Sequence, residues 1–434
     1  MIGRLKRLFP HRHPVRLLWH KAKALLAALR YEFPARGMTV IGVTGTDGKT
    51  TTVGMIMHIL EQEGIHAGAL STAFFQIKDQ ISWNATQKTS PSPFSIQKFL
   101  RDLKRKGCTH AVLECSSHGL VQGRTTFTWP SVAAITNTSL EHLDYHGTME
   151  QYRADKGILF RMLKGKGVKV LKRDDGTFAS YCTIPSRLTV TYGLSAPSAK
   201  SNGDLWLTEI KDASTHATAT LHVHAHDKDL EASLQLSIPG RFNLENALCA
   251  ISSVAGIGIH PESAARSLQS FPGVPGRMER IDEGQPFNVY VDFTVTPQSY
   301  EATLSTLKTS LKPGQRLLVL TGSCGDRMKE KRPIVGKIVS KYADVMVVAN
   351  EDPYTEDPEK IIDDVLAGAD KSHAAIHRIF DRHKAIEFLL NEAKPGDTIL
   401  LCGKGSDTTM WVKEGQIPWN EREIARKLLK AYKH

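Results

Sequence analysis

The sequence predicts an α/β fold, with a first domain built on a parallel sheet plus a small antiparallel subsheet and a second, Rossmann-like domain after it. Three observations support this prediction. An apolar, β-branched run at 38–43 leads into a glycine-rich turn and then into a helical pattern. The runs at 109–115 and 131–136 have the apolar composition of buried parallel strands. Beyond residue 273, short apolar runs alternate with helical patterns, as in a doubly wound sheet.

The turn after the first strand has the form of a phosphate-binding P-loop. Residues 44–52 read Thr-Gly-Thr-Asp-Gly-Lys-Thr-Thr-Thr, so Lys49 can reach terminal phosphates and the Thr50 hydroxyl can hold Mg²⁺. Val43 stands where the general Walker pattern has its first glycine. The alternative is an accidental glycine-rich turn. Because Gly-Lys-Thr lies between a strand and a helix start, we favour a site for a nucleoside triphosphate.

Composition and charge limit the class of protein. The chain has 434 residues, and its six cysteines include no Cys-x-x-Cys pair, which is typical of reduced, intracellular thiols. No apolar run approaches the roughly 20 residues that span a bilayer. Residues 1–30 hold eight basic and no acidic residues, which leaves only +3 of the net charge of +11 for the rest. We therefore expect a cytoplasmic protein that does not bind nucleic acid.

The chain divides into three predicted segments. Residues 1–37 hold a basic amphipathic helix, residues 38–272 form a central P-loop ATPase domain, and residues 273–434 form a C-terminal Rossmann-like domain. Glycine and proline concentrate at 271–276, which indicates the second boundary. Alternating β-rich text at 188–194, 218–226 and 232–238 predicts the antiparallel subsheet, and a helix follows over 242–257.

The predicted helix at 15–31 has one apolar and one polar face. The apolar face carries Val15, Leu18, Trp19, Ala22, Leu26 and Leu29, and the polar face carries Arg16, His20, Lys23 and Arg30. Two interpretations stay open. Either the helix packs on the first domain, or residues 1–31 make peripheral contact with a membrane, with Trp19 and the leucines in anionic lipid.

Polar side chains follow the predicted strands of the first domain. Glu114 ends one strand, where a carboxylate near a phosphate loop is placed to hold Mg²⁺. His142 comes after the next strand and could be a second metal ligand, although a lone histidine is more often only hydrogen-bonded. Lys156, taken alone, would be a solvated lysine on a helix.

In chain order, these segments resemble the Mur ligase family, the ATP-dependent amide ligases of peptidoglycan precursor synthesis, and most closely its third-residue-adding members. The resemblance covers residues 38–434. It rests on the segments GVTGTDGKTTT, ECSSHGLVQGR, TNTSLEHLDYHGTMEQYRADKGILF, PGRFNLENALCAI, VPGRMERID, GDRMKEKRP, EDPYTEDPEKIIDD, GKGSD and IPWNERE. It implies a ligase that joins an amino acid to a wall-peptide-like acceptor.

The resemblance also implies a role for each matching residue. The ATP site comprises Gly45, Thr46, Asp47, Gly48, Lys49, Thr50, Thr51, Asn243, Asn246, Arg277 and Asp292. The ligands of two Mg²⁺ ions are Thr50, Glu114, His142 and Lys156, the last as a carbamylated lysine. The catalytic set is Lys49, Glu114, His142 and Lys156. The acceptor positions are Thr89, Ser90, Ser116, Gln122 and Arg124, and the amino-acid positions are Arg327, Asp352, Tyr354, Gly403 and Asp407.

The reaction that the resemblance implies has two steps. A carboxylate of the acceptor attacks the γ-phosphate of ATP, giving an acyl phosphate and ADP. The incoming amine then attacks the acyl phosphate, giving an amide and phosphate. Closure of the second domain would align the amine and exclude water.

Departures from the family pattern limit which of these roles can be assigned to this chain. The family's N-terminal domain, which holds the uridine nucleotide, has no counterpart in residues 1–37, so we expect an acceptor held by the other domains or one without the UDP group, such as a lipid-linked peptide. Residues 351–354 read Glu-Asp-Pro-Tyr instead of Asp-Asn-Pro-Arg, and Tyr354 cannot form arginine's two-pronged contact with a carboxylate, which disfavours meso-diaminopimelate. Val295 replaces a histidine, and Lys172 replaces an asparagine. Asp407 and Ser406 replace a glutamate and a histidine.

A different class of function also fits the loop alone, namely a nucleotide-binding scaffold that has lost catalysis. Retention of Lys49, Thr50, Glu114, His142 and Lys156 argues against it. The sequence does not specify the amino acid that is added or the oligomeric state.

Overall fold

The structure is a computed structural model, and it describes residues 12–84, 86, 88–213, 215–225 and 228–431. The first eleven residues of the predicted basic segment lie outside the described residues. Within the described chain, the strands form an eleven-stranded sheet, a six-stranded sheet and a two-stranded ribbon. The predicted α/β fold class is confirmed.

The large sheet has the strand order β11-β10-β9-β8-β7-β6-β1-β5-β2-β3-β4. Its strands are β1 (Thr39–Thr44), β2 (Ala67–Leu70), β3 (Phe74–Ile77), β4 (Gln80–Trp83), β5 (His110–Glu114), β6 (Val132–Ile135), β7 (Val168–Lys172), β8 (Leu188–Tyr192), β9 (Asp204–Asp212), β10 (Ala217–Ala225) and β11 (Lys228–Leu236). The six strands from β8 to β2 pair in parallel, and β9 also pairs in parallel with β8. Antiparallel pairs extend both ends of the sheet.

One strand of the predicted antiparallel subsheet was assigned wrongly. The alternating segment at 188–194 forms β8, which pairs in parallel with β7, whereas β10 and β11 are antiparallel as predicted. The alternation misleads because Thr191 is not turned to water. Its hydroxyl donates to Asp204 and accepts from Arg173 inside the protein. The antiparallel edge β3–β4 was not predicted from the sequence.

Fourteen α-helices are present in the described ranges. They are α1 (Pro14–Arg30), α2 (Lys49–Gln62), α3 (Pro93–Arg105), α4 (Ser117–Val121), α5 (Leu143–His146), α6 (Met149–Arg161), α7 (Phe178–Cys182), α8 (Arg241–Ala255), α9 (Pro261–Ser267), α10 (Pro297–Ser310), α11 (Lys331–Tyr342), α12 (Pro358–Leu366), α13 (Arg382–Glu392) and α14 (Glu421–Ala431), with a 3₁₀ turn at Leu268–Ser270. Helices α2 and α8 contribute to the core on one face of the large sheet, and α3 and α6 contribute to the core on the other.

The close approach of α6 to the central strand β1 depends on a glycine. A Cβ atom on Gly42 would lie 2.7 Å from the Cδ1 atom of Leu159. The missing side chain therefore lets α6 pack directly on β1. This packing places Lys156, one turn earlier on α6, under the loop that follows β1.

The second sheet has the strand order β12-β13-β17-β14-β15-β16. Its strands are β12 (Glu279–Ile281), β13 (Asn288–Asp292), β14 (Leu317–Thr321), β15 (Val345–Val348), β16 (Ala375–Arg378) and β17 (Thr398–Cys402), and the ribbon is β18 (Thr409–Val412) with β19 (Gly415–Pro418). Apart from β12, its strands are parallel, as predicted for a Rossmann-like unit. The domain boundaries at 37/38 and 272/273 stay predictions.

Helix α1 packs on the protein through its small residues. Ala24, Ala27 and Ala28 are fully buried, and α1 contacts α3. The face that carries Leu18, Trp19 and the other large apolar residues is exposed instead. The sequence thus predicted the two faces, but not that the alanine side would contact the protein. No helix among the described residues is long and apolar enough to cross a membrane.

Candidate active site

The loop between β1 and α2 is shaped by two glycines in the left-handed region. Gly45 has φ +149° and Gly48 has φ +80°. A Cβ atom on Gly45 would lie 1.8 Å from Thr136 Oγ1, and one on Gly48 would lie 2.1 Å from Asn246 Oδ1. No side chain caps the first N–H groups of α2. These N–H groups can therefore hydrogen-bond an anion at the positive end of the helix dipole.

Lys49 and Asp47 form hydrogen bonds that stabilise the conformation of the loop. Lys49 Nζ donates to the Thr46 carbonyl oxygen at 2.6 Å, so the lysine folds back over the loop. The Asp47 amide donates to Asn137 Oδ1 at 3.0 Å, and the Asp47 carbonyl oxygen accepts from Thr136 Oγ1 at 2.6 Å. These contacts join the loop to the end of β6, as parallel strands that share one sheet edge allow.

Glu114 lies directly beside the loop hydroxyl, as the sequence predicted. Thr50 Oγ1 donates to Glu114 Oε2 at 3.0 Å. Thr72, which was not predicted, holds the same carboxylate. Its amide donates to Oε2 at 2.7 Å, and its hydroxyl donates to Oε1 at 2.9 Å. A fixed carboxylate and a hydroxyl side by side are suitable oxygen ligands for Mg²⁺.

The predicted metal ligands do not form one preassembled cage. Among the described residues, no group of three or more His, Cys, Asp or Glu side chains is placed to hold a metal ion. Mg²⁺ usually keeps several waters and is held by one or two carboxylates together with substrate phosphates. The Thr50–Glu114 pair beside a phosphate loop therefore fits a metal that binds with the triphosphate.

Lys156 is buried under the loop. Its Nζ atom donates to the Gly45 carbonyl oxygen at 2.6 Å and lies 4.2 Å from the centre of the Tyr152 ring. Among the described residues, it forms no ion pair with a carboxylate. Burial, and then the charge of Lys49, lowers the pKa of Lys156 well below its usual value. The prediction of a solvated lysine from the helix pattern alone was wrong, because Gly42 lets α6 pack so close to β1.

His142 lies in a cluster of aromatic rings. It has a left-handed backbone with φ 59°, and its ring centre is 4.8 Å from that of His118 and 6.3 Å from that of Tyr152. Burial lowers the pKa of His142 well below its usual value and that of His118 to about 3. Both imidazoles are therefore neutral at pH 7, and the neutral form is the one that binds metal ions.

The five predicted acceptor residues lie together. The Ser116 amide donates to Ser90 Oγ at 3.0 Å, and Arg124 Nη1 donates to the Ser90 carbonyl oxygen at 2.6 Å. Arg124 also donates to Gln122 Oε1 through Nε at 3.1 Å and Nη2 at 2.7 Å. The Thr89 hydroxyl lies 2.9 Å from that of Thr72, the residue that holds Glu114. Through Thr72, the acceptor group is thus linked to Glu114, which contacts Thr50 of the nucleotide loop.

Asn243 and Asn246 are buried behind the loop. Asn246 Nδ2 donates to Asn243 Oδ1 at 3.2 Å, and Asn243 Nδ2 donates to the Pro239 carbonyl oxygen at 2.6 Å. Because Asn246 Oδ1 fills the space where a side chain on Gly48 would stand, this pair supports the loop. Predicted contacts of these residues with the base stay predictions.

Residues that flank β12 and β13 of the second sheet contact the nucleotide loop. Arg277 Nη2 donates to Thr50 Oγ1 at 3.5 Å, and Thr296 Oγ1 donates to Asp47 Oδ2 at 3.0 Å. Asp292 accepts from the Met278 amide at 2.7 Å, and burial raises its pKa. Sequence reasoning missed Thr296, although its position before Pro297 at a helix start was a signal.

A buried ion pair also joins the loop after β6 to the start of α11. Lys331 Nζ lies 3.3 Å from Glu141 Oε1 and donates to the Val295 carbonyl oxygen at 3.1 Å. Val295, the departure from the family pattern, thus contributes its backbone rather than its side chain. No role was predicted for Lys331, although it lies in the GDRMKEKRP segment.

The predicted amino-acid residues lie around a buried lysine that was also missed. Lys404 Nζ donates to Asp352 Oδ2 at 2.7 Å and to Asp407 Oδ2 at 3.1 Å, so the two acids share one cation. Arg327 Cζ lies 5.0 Å from the centre of the Tyr354 ring. Tyr354 also stacks on Trp411, with ring centres 5.5 Å apart. Gly403 has φ +101°, and a Cβ atom there would lie 2.1 Å from an oxygen of Glu351.

Comparison with known proteins identifies the family. Residues 43–254 match the family model described as the Mur ligase middle domain, and residues 276–405 match the Mur ligase glutamate ligase domain. A UDP-N-acetylmuramyl-tripeptide synthetase of Roseiflexus sp. (strain RS-1) is 36% identical over 426 residues, covering 94% of this chain and 82% of the relative. The chain belongs to the Mur ligase family. It is accordingly an ATP-dependent amide ligase, and Mur ligases use ATP and Mg²⁺.

Other relatives agree with this assignment. The UDP-N-acetylmuramoyl-L-alanyl-D-glutamate–2,6-diaminopimelate ligase of Geobacillus kaustophilus is 33% identical over 417 residues, covering 94% of this chain and 82% of the relative. A solved structure of a ligase with that name has a TM-score of 0.61 at 28% identity and covers 91% of this chain and 78% of its own. The MurF ligase of Thermotoga maritima in complex with ADP has a TM-score of 0.67 at 18% identity, covering 95% of this chain and 83% of its own, which supports the fold alone.

A cavity of about 790 Å³ lies away from the predicted ligase residues. Its lining includes Thr39, Ser131, Gly167 and Arg187, which stand at or just before the amino ends of β1, β6, β7 and β8. The loop and Glu114 lie at the opposite, carboxyl ends of the strands. Ligands of doubly wound sheets bind at the carboxyl ends, so this cavity is not the nucleotide site.

Proposed function

We propose that this ligase adds an amino acid to a muramyl-peptide acceptor of the kind named for its relatives, and that the residues described above perform the reaction. The observation that carries the proposal is the position of Thr72. Its hydroxyl lies 2.9 Å from both Glu114 Oε1 and Thr89 Oγ1, so it joins Glu114, which contacts Thr50 of the nucleotide loop, to the acceptor group. A carboxylate bound by the acceptor group would therefore lie close to a phosphate bound by the loop.

The reaction then proceeds through an acyl phosphate. The acceptor carboxylate takes the γ-phosphoryl group of ATP and releases ADP. The amine attacks the acyl carbon, loses a proton and displaces phosphate, which forms the amide. Lys49 and the uncapped N–H groups of α2 stabilise the negative charge of the transferred phosphoryl group.

Thr50 and Glu114 would hold a Mg²⁺ ion, and His142 would supply a ligand for a second one. When bound, the metal neutralises charge on the phosphate oxygens. Glu114 is already fixed by three hydrogen bonds from Thr50 and Thr72, so it would need little reorganisation to bind the ion. The neutral state of His142 is also the state that a ligand requires.

We assign Lys156 as a carbamylated lysine. Lys156 forms no ion pair among the described residues, and burial lowers the pKa of its amine well below the usual value, which favours the uncharged amine that reacts with CO₂. Addition of CO₂ to Nζ with loss of a proton turns this amine into an anion. Labelled bicarbonate tests the assignment independently of turnover, because the wild-type protein should show a carbamate carbon signal in ¹³C NMR spectra. An identical signal in the Lys156→Ala variant would contradict the assignment.

The added amino acid differs from meso-diaminopimelate in this proposal. The position that holds arginine in diaminopimelate-adding members carries Tyr354, and its ring packs between Arg327 and Trp411. Arg327, Asp352, Gly403 and Asp407 would contact the incoming amino acid. Asp352 and Asp407 are both paired with the single cation of Lys404, so the two acids together leave at most one negative charge for a cationic side chain.

A second candidate changes the acceptor and keeps the chemistry. A lipid-linked peptide acceptor is favoured by the exposed apolar face of α1, and with it we propose peripheral membrane contact through residues 1–31. Release of ADP across all amino acids, with UDP-linked and UDP-free acceptors in parallel, separates the candidates. Release with a UDP-linked acceptor only supports the first, and release with the UDP-free acceptor only supports the second. No release with any pair would contradict both and leave a nucleotide-binding scaffold.

A further inference from the structure

Helix α1 presents an apolar surface to solvent. Six large side chains on it are between 42% and 68% exposed, namely Val15, Leu18, Trp19, Leu25, Leu26 and Leu29. We call these six side chains the α1 apolar surface. Their spacing places them on one side of the helix. Single exposed apolar residues are ordinary, but a contiguous group on one helix indicates an interaction site.

The orientation of α1 is fixed by the opposite side of the helix. Ala24, Ala27 and Ala28 are fully buried against the protein. Arg101 Cζ lies 4.7 Å from the centre of the Tyr31 ring, just after the helix ends. Alanines permit close packing where leucines would not fit. Rotation of the helix to bury the α1 apolar surface would therefore require large side chains in spaces that hold alanines.

The charges beside this surface indicate what covers it. Arg16, Lys23 and Arg30 are spaced seven residues apart and so run along one edge of the surface. Residues 12–31 contain no acidic side chain. A second copy of the chain would bring like charges together, whereas an anionic lipid surface would pair with them.

We infer that α1 docks the ligase on an anionic lipid bilayer, with the α1 apolar surface at the level of the headgroups and upper acyl chains. Amphipathic helices with a basic polar side bind membranes in this way. The length of α1, 17 residues, suits a helix that lies in the plane of the interface. The lipid contact does not depend on the proposed ligase function.

The position of α1 relative to the catalytic residues also indicates which part of the site faces the bilayer, and this conclusion rests on the proposed ligase function. Arg12, just before α1, forms an ion pair with Asp155, the neighbour of Lys156. Asp155 Oδ2 lies 2.5 Å from His146 Nδ1, and His146 Nε2 lies 2.9 Å from Ser117 Oγ. Ser117 follows the proposed acceptor residue Ser116. Docking through α1 therefore brings the acceptor end of the site near the bilayer.

Flotation of the full chain with lipid vesicles tests the inference. The wild-type protein should float with vesicles of phosphatidylcholine mixed with phosphatidylglycerol, and far less with phosphatidylcholine alone. The Leu18→Glu/Leu26→Glu variant should bind about 100-fold more weakly, because it loses apolar contact and adds repulsion. The matched control is Leu230→Glu/Ile334→Glu, since both residues are exposed apolar side chains outside α1. This control variant should bind the vesicles like the wild type.

Charge removal gives an independent readout. The Lys23→Gln/Arg30→Gln variant keeps the α1 apolar surface and should lose about fivefold in affinity per removed charge on anionic vesicles only. Failure of the wild type to float with either vesicle, or an equal loss in the Leu230→Glu/Ile334→Glu control, would overturn the inference. A wild-type dimer that Leu18→Glu/Leu26→Glu converts to a monomer, with no flotation, would assign the surface to a second copy instead. All variants should release ADP with a soluble acceptor like the wild type, so failure of the ligase proposal would appear separately as no ADP release in any of them.

Discussion

The buried ion pair between Glu141 and Lys331 joins the loop after β6 to the start of α11. Both side chains are less than one-tenth exposed, and their charged atoms are 3.3 Å apart. Lys331 also donates to the Val295 carbonyl oxygen. If the second domain opens and closes during turnover, this pair exists only in the closed arrangement. We therefore predict that Lys331→Met lowers kcat/KM by weakening closure.

The structure sets the size of the effect. Truncation of one partner of a buried, hydrogen-bonded charge pair costs about 2–5 kcal/mol, much of it from the charge left alone. Glu141 Oε2 has no hydrogen-bond partner among the described residues, and burial raises the pKa of the carboxyl. Protonation of Glu141 in the variant would relieve part of the penalty. We therefore take the lower end, about 2 kcal/mol, which corresponds to a fall of about 30-fold in kcat/KM.

A double-mutant cycle with ADP release as the assay measures this directly. Glu141→Gln combined with Lys331→Met should be no slower than Lys331→Met alone, because no uncompensated charge remains. Lys341→Met is the matched control, since Lys341 lies on the same helix as Lys331 but forms an exposed ion pair with Glu301 of α10. Its kcat/KM should stay within about twofold of the wild type. The reasoning is refuted if Lys331→Met keeps more than about a third of the wild-type kcat/KM with an unchanged melting temperature, or if the two single effects simply multiply.

Three further predictions follow from single side chains. Lys156→Ala should abolish turnover, and a short-chain carboxylate in solution should restore part of it by replacing the carbamate; full activity of the unsupplemented variant in the ADP assay would rule the role out. Tyr354→Arg should create a two-pronged contact for a carboxylate and raise kcat/KM for meso-diaminopimelate by at least about 10-fold; unchanged discrimination in a competition between amino acids would show that Tyr354 does not set specificity. Burial raises the pKa of Glu351 to about 7, so the folded state binds this proton more tightly than the unfolded state. The free energy of unfolding therefore falls as pH rises from about 4.5 to about 7. Relative to the wild type, the unfolding free energy of Glu351→Gln should therefore increase by up to about 3 kcal/mol over that pH range. If denaturant titrations show a difference in unfolding free energy that stays constant with pH, the assignment is contradicted.

The sequence predicted the parts of the site that local chemistry determines. Gly45 and Gly48 adopt the positive φ angles that a phosphate loop needs, and Glu114 lies beside Thr50 because the carboxyl ends of parallel strands meet at one sheet edge. The pattern of α1 predicted which of its sides is apolar. Hydrophobic periodicity states which side is apolar but not what covers it, so the burial of the alanine side could not be predicted.

The remaining contacts depend on tertiary packing. Thr72 reaches Glu114, Thr296 reaches Asp47 and Lys331 reaches Glu141 from distant parts of the chain. No local pattern marks such pairs, because they arise from the approach of separate strand–helix units. The burial of Lys156 has the same origin, since it depends on the absent side chain of Gly42 on another element.

Transfer of oxygen from the acceptor to phosphate tests the central claim most directly. The acceptor is prepared with ¹⁸O in its reacting carboxylate, and the phosphate released during amide formation is analysed by mass spectrometry. An acyl phosphate intermediate predicts one ¹⁸O atom in each phosphate released, with the other retained in the amide. Release of unlabelled phosphate during amide formation would contradict the account.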